Sequence, residues 1–349
     1  MQPIKNMLKF NSNKIQTPLM EDTMKTIMTL LFTLFLASSA YAAGITVDYQ
    51  VNNQTYEGYY ISNTKGAPLV LLVHDWDGLT DYEVKRAEML AELMRMKYGI
   101  AVAGTHGKTT TSWLLWHACD EVARELALPQ PGALVGGLNP ALKDDDNPRG
   151  LNALAGELNG AFCVEACEYD RSFLQLDPAG AAITNVEADH LDYFHNLETI
   201  ERAFAGFAQN VHPEGLLVLG DDVPAAVENE AQCLVWRLGR EIKILPMQSK
   251  QGRRRFRLQG PGWATGVIHL QVPGGYNVVN AALAVALAVG HVLTQKDAPD
   301  RKEWPRIADA AARGVMQFQG AGRRFETWSK PGERPLVHDY AHHPTEVRA

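Results

Sequence analysis

The sequence predicts an α/β chain whose main part, residues 93–320, folds as a mostly parallel sheet with helices on both faces. Three observations predict it. The apolar run Gly99-Ile100-Ala101-Val102-Ala103 reads as a short buried strand, meeting a glycine-rich turn and then a helix from residue 109 to about residue 126. The segment Ala161-Phe162-Cys163-Val164-Glu165-Ala166-Cys167-Glu168 reads as a strand running into a loop. Residues 281–289 read as an apolar helix, entered through Asn277 and Asn280, residue types suited to a turn and a helix cap.

At 349 residues the chain is long enough for two domains, each with a core. Apolar content of 46% and charged content of 21% are ordinary globular values. The net charge of −7 argues against a nucleic-acid binder, which neutralises phosphates with clustered Lys and Arg. One basic run, Arg253-Arg254-Arg255-Phe256-Arg257, is read as a solvated strand edge or hairpin. The cysteines Cys119, Cys163, Cys167 and Cys233 are too few and scattered for a disulfide framework, and are read as core thiols.

The N-terminal part reads differently. Met24-Lys25, the apolar run 27–36 and the Ala40-x-Ala42 site resemble a secretory signal within an N-terminal extension, residues 1–43. The run is short for a membrane span, so no stable span is expected. Alternation at Ile45, Val47, Tyr49 and Val51, and again over 56–61, predicts a hairpin around Asn52-Asn53. Residues 68–73 read as a strand and the following residues as an amphipathic helix. Residues 44–92 resemble the opening of a dienelactone hydrolase, which implies an incomplete α/β-hydrolase-like fragment. No Gly-x-Ser-x-Gly or Gly-x-Cys-x-Gly elbow occurs, so His74 and Asp75 are strand-end residues, not a catalytic pair. The expectation is a chimera joined near Glu92, with two or three strands and a helix of 44–92 packing poorly on the rest.

The turn after residue 103 carries the chemistry. In Gly104-Thr105-His106-Gly107-Lys108-Thr109-Thr110, the glycines let backbone N–H groups close around phosphate oxygens, and the helix N-terminus adds positive charge. Lys108 is expected at the β- and γ-phosphates and the Thr109 hydroxyl on Mg²⁺. The spacing is two residues shorter than the usual Gly-x4-Gly-Lys.

That short loop resembles the P-loop of the Mur amide ligases, and its His106 the branch that joins L-alanine to UDP-N-acetylmuramate. Further runs resemble the family in its order. They are Glu165-Ala166-Cys167-Glu168-Tyr169-Asp170, with Cys167 and Tyr169 as departures, and Thr184-Asn185-Val186-Glu187-Ala188-Asp189-His190-Leu191-Asp192-Tyr193. Pro273-Gly274-Gly275-Tyr276-Asn277-Val278-Val279-Asn280-Ala281 resembles the adenine-contacting turn, with Tyr276 where His is common. Gly322-Arg323-Arg324-Phe325-Glu326 and Asp339-Tyr340-Ala341-His342-His343-Pro344-Thr345-Glu346 resemble the hinge and the opening of a Rossmann-like third domain, so 321–349 is expected to be that domain's start.

The resemblance implies an ATP-dependent ligase of peptidoglycan precursors that activates a carboxylate as an acyl phosphate. It implies Glu168 and Thr109 on a first Mg²⁺, His190 on a second metal, and Lys108, Glu168 and His190 as the catalytic set. Asn277 and Asn280 are implied at adenine, Asp339 at ribose and Arg324 as a further nucleotide contact. UDP-N-acetylmuramate and L-alanine are the implied substrates and the cytoplasm the implied compartment, against the signal-like segment 24–43. No Gly-x-Gly-x-x-Gly unit of a UDP-holding domain precedes residue 99, so the 349-residue chain is expected to bind Mg-ATP weakly and ligate alanine negligibly. Three alternatives stand beside this reading: a recycling ligase that re-attaches a peptide, a nucleotide-binding fragment without turnover, and a secreted hydrolase relative.

Overall fold

In the computed structural model the described residues are 44–51, 54–61, 70–73, 90, 93–94, 98–143, 147–169, 171–250, 253–324, 326–327 and 336–341. The signal-like segment, Asn52-Asn53, His74-Asp75 and residues 342–349 lie outside them. Strands β1 (Gly44–Val51), β2 (Gln54–Ile61) and β3 (Val70–Val73) form an antiparallel sheet of that order. Val51 pairs with Gln54 across a two-residue connection, the hairpin register expected around 52–53. This sheet shares no strand with the one that follows.

The second sheet holds β4 (Tyr98–Ala103), β5 (Gly132–Asn139), β6 (Leu151–Leu154), β7 (Ala161–Glu165), β8 (Gly180–Ile183), β9 (Leu216–Leu219) and β10 (Leu234–Arg237). Its order is β10-β9-β8-β4-β7-β5-β6, parallel throughout except the antiparallel β5–β6 edge pair. Successive residues of a strand point to opposite faces, and here both faces are covered. Ile100, Val102, Leu216 and Val218 join one core, whereas Ala101, Ala103, Leu217 and Leu219 join the other. That double burial explains why β4 reads as a continuous apolar run, and why β8 and β9 are made of apolar residues and glycine alone.

Helix α1 (Lys108–Leu126) lies on the first face; α2 (Leu191–Phe194), α3 (Leu197–Gln209) and α4 (Ala225–Asn229) follow in the chain. Ile200, Phe204 and Phe207 of α3 fill the second core. Helix α3 starts at a sequence-coded cap: Asn196 accepts from Thr199 N–H at 2.9 Å. A smaller antiparallel sheet holds β11 (Lys243–Lys250), β12 (Arg253–Gly260), β13 (Trp263–Ala264) and β14 (Ile268–His269), so the basic run occupies a hairpin strand as expected.

Helix α5 (Tyr276–Leu293) and helix α6 (Trp304–Gln317) complete the first face with α1. By length and composition α5 could cross a membrane, but its residues 281–292 are buried in the core. It begins earlier than expected, with Gly275 at its cap position, so Asn277 and Asn280 lie inside its first turns and do not cap it. Gly314 lets α6 approach α1 closely: a Cβ there would stand 2.1 Å from the His117 carbonyl oxygen. The short pair β15 (Glu326–Thr327) and β16 (Val337–His338) follows. Cys119 and Cys163 are core thiols, but Cys167 is exposed, because β7 ends at Glu165 and the chain has already turned outward.

Candidate functional site

Strand β4 lies between β7 and β8, and the chain builds β5 to β7 on one side of it before crossing to β8 on the other. Ligands of open parallel sheets bind at such a switch point, beyond the C-terminal strand ends. The segments after β4, β7 and β8 meet there.

The loop 104–107 needs its glycines. Gly104 has φ +135°, and a Cβ would fall 1.9 Å from Thr184 Oγ1. Gly107 has φ +81° and caps α1, and its missing Cβ would stand 2.8 Å from Asn280 Oδ1. No side chain caps α1 and its first turn carries no acid, so its N-terminal amides are left for an anion. The segment after β8 laces the loop in place. The Asn185 side chain accepts from His106 N–H at 2.8 Å and donates to His106 C=O at 3.1 Å. Thr184 donates to the same carbonyl at 2.6 Å, and Glu187 N–H donates to Thr105 Oγ1 at 2.9 Å.

Two carboxylates flank the start of α1. Glu165 accepts from the Thr109 hydroxyl at 2.9 Å and from Gly136 N–H at 2.6 Å. Glu168, 2% exposed, holds the Lys108 ammonium at 2.9 and 2.8 Å. Lys108 also donates to the carbonyls of Gly104 at 2.7 Å and Thr105 at 3.1 Å. Burial alone would push Lys108 down, but the Glu168 carboxylate, with smaller help from its neighbours, holds its pKa above the ordinary lysine value. The ammonium therefore stays charged at neutral pH.

The Thr109 hydroxyl thus meets Glu165, and Glu168 meets the neighbouring Lys108. Register decides it: Glu165 pairs with Val102 at the end of β7, so its carboxylate reaches the helix start, while Glu168 comes after the turn and lies under Lys108. His190 has φ +50°, its N–H on the Asp189 carboxylate at 2.7 Å and its ring edge-on to Tyr169, the residue after Glu168, at 4.7 Å. Among the described residues no three His, Cys, Asp or Glu side chains are grouped to hold a metal. Thr109 and Glu165 supply hard oxygen donors suited to Mg²⁺, which keeps most of its own waters.

A cavity of about 660 Å³ opens beside the loop. His106, Gly107, Thr109 and Thr110 form one wall, Asn277 and Asn280 a second, and Arg324 and Asp339 a third. Asn277 donates to Pro273 C=O at 2.5 Å and accepts from Asn280 at 3.1 Å, which fixes both amides although they are buried. Tyr276 also lines the cavity, at the end of the Asn277 wall. Gly104, Thr105, Lys108, Glu168 and His190 are not among the lining residues. Glu165, which meets the Thr109 hydroxyl, is not among the residues expected at the site; the signal available was its place as the last residue of an apolar run.

A glycine loop at a parallel strand end, a helix N-terminus, a Lys-Thr pair and an adjoining polar cavity define a P-loop α/β protein. The chain belongs to the Mur ligase family: the model of the Mur ligase middle domain matches residues 102–288. Among curated relatives, a UDP-N-acetylmuramate–L-alanine ligase of Koribacter versatilis is 33% identical over 323 residues, covering 85% of this chain and 62% of the relative. One of Acidobacterium capsulatum is 38% identical over 275 residues, 76% of this chain and 54% of the relative. The chain thus spans between about half and three-fifths of these relatives' lengths. A solved UDP-N-acetylmuramate–alanine ligase of Thermotoga maritima shares the fold at TM-score 0.55 and 24% identity, over 75% of this chain and 54% of that one. A murein peptide ligase of Psychrobacter arcticus does so at TM-score 0.53 and 21% identity, over 78% and 60%.

Proposed function

We propose that this chain carries the ATP-binding core of a cytoplasmic ligase that joins L-alanine to UDP-N-acetylmuramate. The observation that carries it is the loop 104–110 at the N-terminus of α1, opening on a cavity walled by Asn277 and Asn280. The curated relatives, which share that activity by name, give the substrate. In this reading the amides of 107–110 and Lys108 hold the phosphates, Asn277 and Asn280 meet the base, and Asp339 and Arg324 the ribose side.

The reaction is two displacements. A muramate carboxylate oxygen takes the γ-phosphoryl group and ADP leaves. The alanine amine then attacks the acyl carbon, orthophosphate leaves and the amine loses a proton. Both steps gather negative oxygens, so fixed positive charge and aligned amides lower the barrier most. Thr109 would hold Mg²⁺ with Glu168, as its motif implies and its buried Oε2 without a hydrogen-bond partner supports, and with Glu165 on the Thr109 hydroxyl; the ion would neutralise phosphate charge when bound. Lys108 and the helix N-terminus orient the phosphates, and the Asn185 lacing keeps the loop shaped before nucleotide arrives. His190 stands in this reading as a second-metal residue, supported by its motif alone.

Orthophosphate release is the test. Release from ATP that requires both UDP-N-acetylmuramate and L-alanine supports the reading at whatever rate. Release driven by a peptide in place of L-alanine would point to the recycling branch and overturn the alanine assignment.

A further inference from the structure

The P-loop lysine is not free to meet a phosphate. Its three hydrogens meet three acceptors, Glu168 Oε1 at 2.9 Å and the carbonyls of Gly104 and Thr105 at 2.7 and 3.1 Å, while Glu168 Oε2 stands 2.8 Å from the same nitrogen as an ion-pair contact. His106 and Gly107 before it and Thr109 and Thr110 after it line the cavity, yet Lys108 does not. The loop presents its backbone while its lysine turns beneath.

We propose that Glu168 is a latch on Lys108, a positioning residue that competes with the incoming phosphates for the ammonium. This rests on the nucleotide reading above. Among the described residues Lys108 is the side-chain partner of both Glu168 oxygens, so the carboxylate gives up its one counter-charge when the lysine moves. Glu168 cannot follow it easily, because the side chain is 2% exposed and its carbonyl accepts from Arg171 N–H at 2.9 Å. Separating a buried pair is costly unless a new anion replaces the old one. A lone phosphate must meet that cost with its charge alone. A nucleotide also gains contacts at Asn277 and Asn280 on the adjoining wall, so the latch selects phosphates that arrive with a base.

Isothermal titration of the full chain without Mg²⁺ tests it, using ATP and adenosine as probes. Glu168→Gln keeps the shape and removes the competing charge. ATP should bind it on the order of fivefold tighter than wild type, with adenosine unchanged, because the gain lies at the phosphates. Glu168→Asp draws the carboxylate back by one methylene and should fall between, and it carries the test if the Gln variant does not fold. Equal or weaker ATP binding by both variants overturns the latch, as does equal tightening for adenosine. A wild-type chain that binds no ATP refutes the nucleotide reading itself, and the latch falls with it.

Discussion

Replacing Lys108 by Met removes the ammonium while keeping an unbranched stem of similar length. The loss falls on Glu168, whose side chain is 3% exposed and loses both contacts, at 2.9 and 2.8 Å. The carbonyls of Gly104 and Thr105 lose a donor as well. Removing one partner of a buried pair costs about 3–5 kcal/mol, because the remaining charge is stranded. That is a large part of the roughly 5–15 kcal/mol that holds an ordinary domain together. The assay is urea denaturation at pH 7 without nucleotide, applied to Lys108→Met, Glu168→Gln and the double variant. The double variant, with no stranded charge, should recover most of the loss and lie within about 1–2 kcal/mol of wild type. A cost below about 1 kcal/mol for Lys108→Met, or a double variant showing the sum of the singles, would refute the reasoning.

Acid should destabilise the fold through two buried histidines. Burial, with Arg124 adding to it, lowers His117 to about 4, and burial lowers His291 to about 4. Both are neutral when folded but take protons near pH 6.5 when unfolded, so stability is full above that pH and falls between about 6.5 and 4. Each contributes up to about 3 kcal/mol of loss by pH 4, and His291→Gln should flatten the profile measured by thermal melts. Glu165→Gln should weaken Mg²⁺-dependent ATP binding by about tenfold with Mg²⁺-free binding nearly unchanged, read by titration with and without the ion. Gly314→Ala places a Cβ 2.1 Å from the His117 carbonyl and should cost at least about 2 kcal/mol, whereas Gly206→Ala on α3, with its nearest neighbour at 3.4 Å, should be neutral or stabilising.

Much of this was legible in the chain. The strand–turn–helix at 99–126 could be read because both of its ends are coded locally, by apolar residues that suit a doubly covered strand and by glycines that suit positive φ. The hairpin at 44–61 was legible for the same reason, a period of two around a two-residue turn. What was hidden depends on register. Nothing local in Glu165-Ala166-Cys167-Glu168 says which carboxylate meets Thr109 and which meets Lys108, since each partner lies more than fifty residues away. The same turn explains Cys167, taken as a core thiol and found exposed. The β11–β14 sheet was foreshadowed only by its basic strand, because its other strands are short or irregular.

Titration of the chain with a non-hydrolysable ATP analogue and Mg²⁺ measures the central claim directly. Binding with a dissociation constant in the micromolar to submillimolar range is predicted, lost in Asn277→Ala/Asn280→Ala and weakened in Glu165→Gln. Absence of binding by the folded wild-type chain, or binding that survives the double asparagine change unaltered, would contradict the assignment of this cavity to the nucleotide.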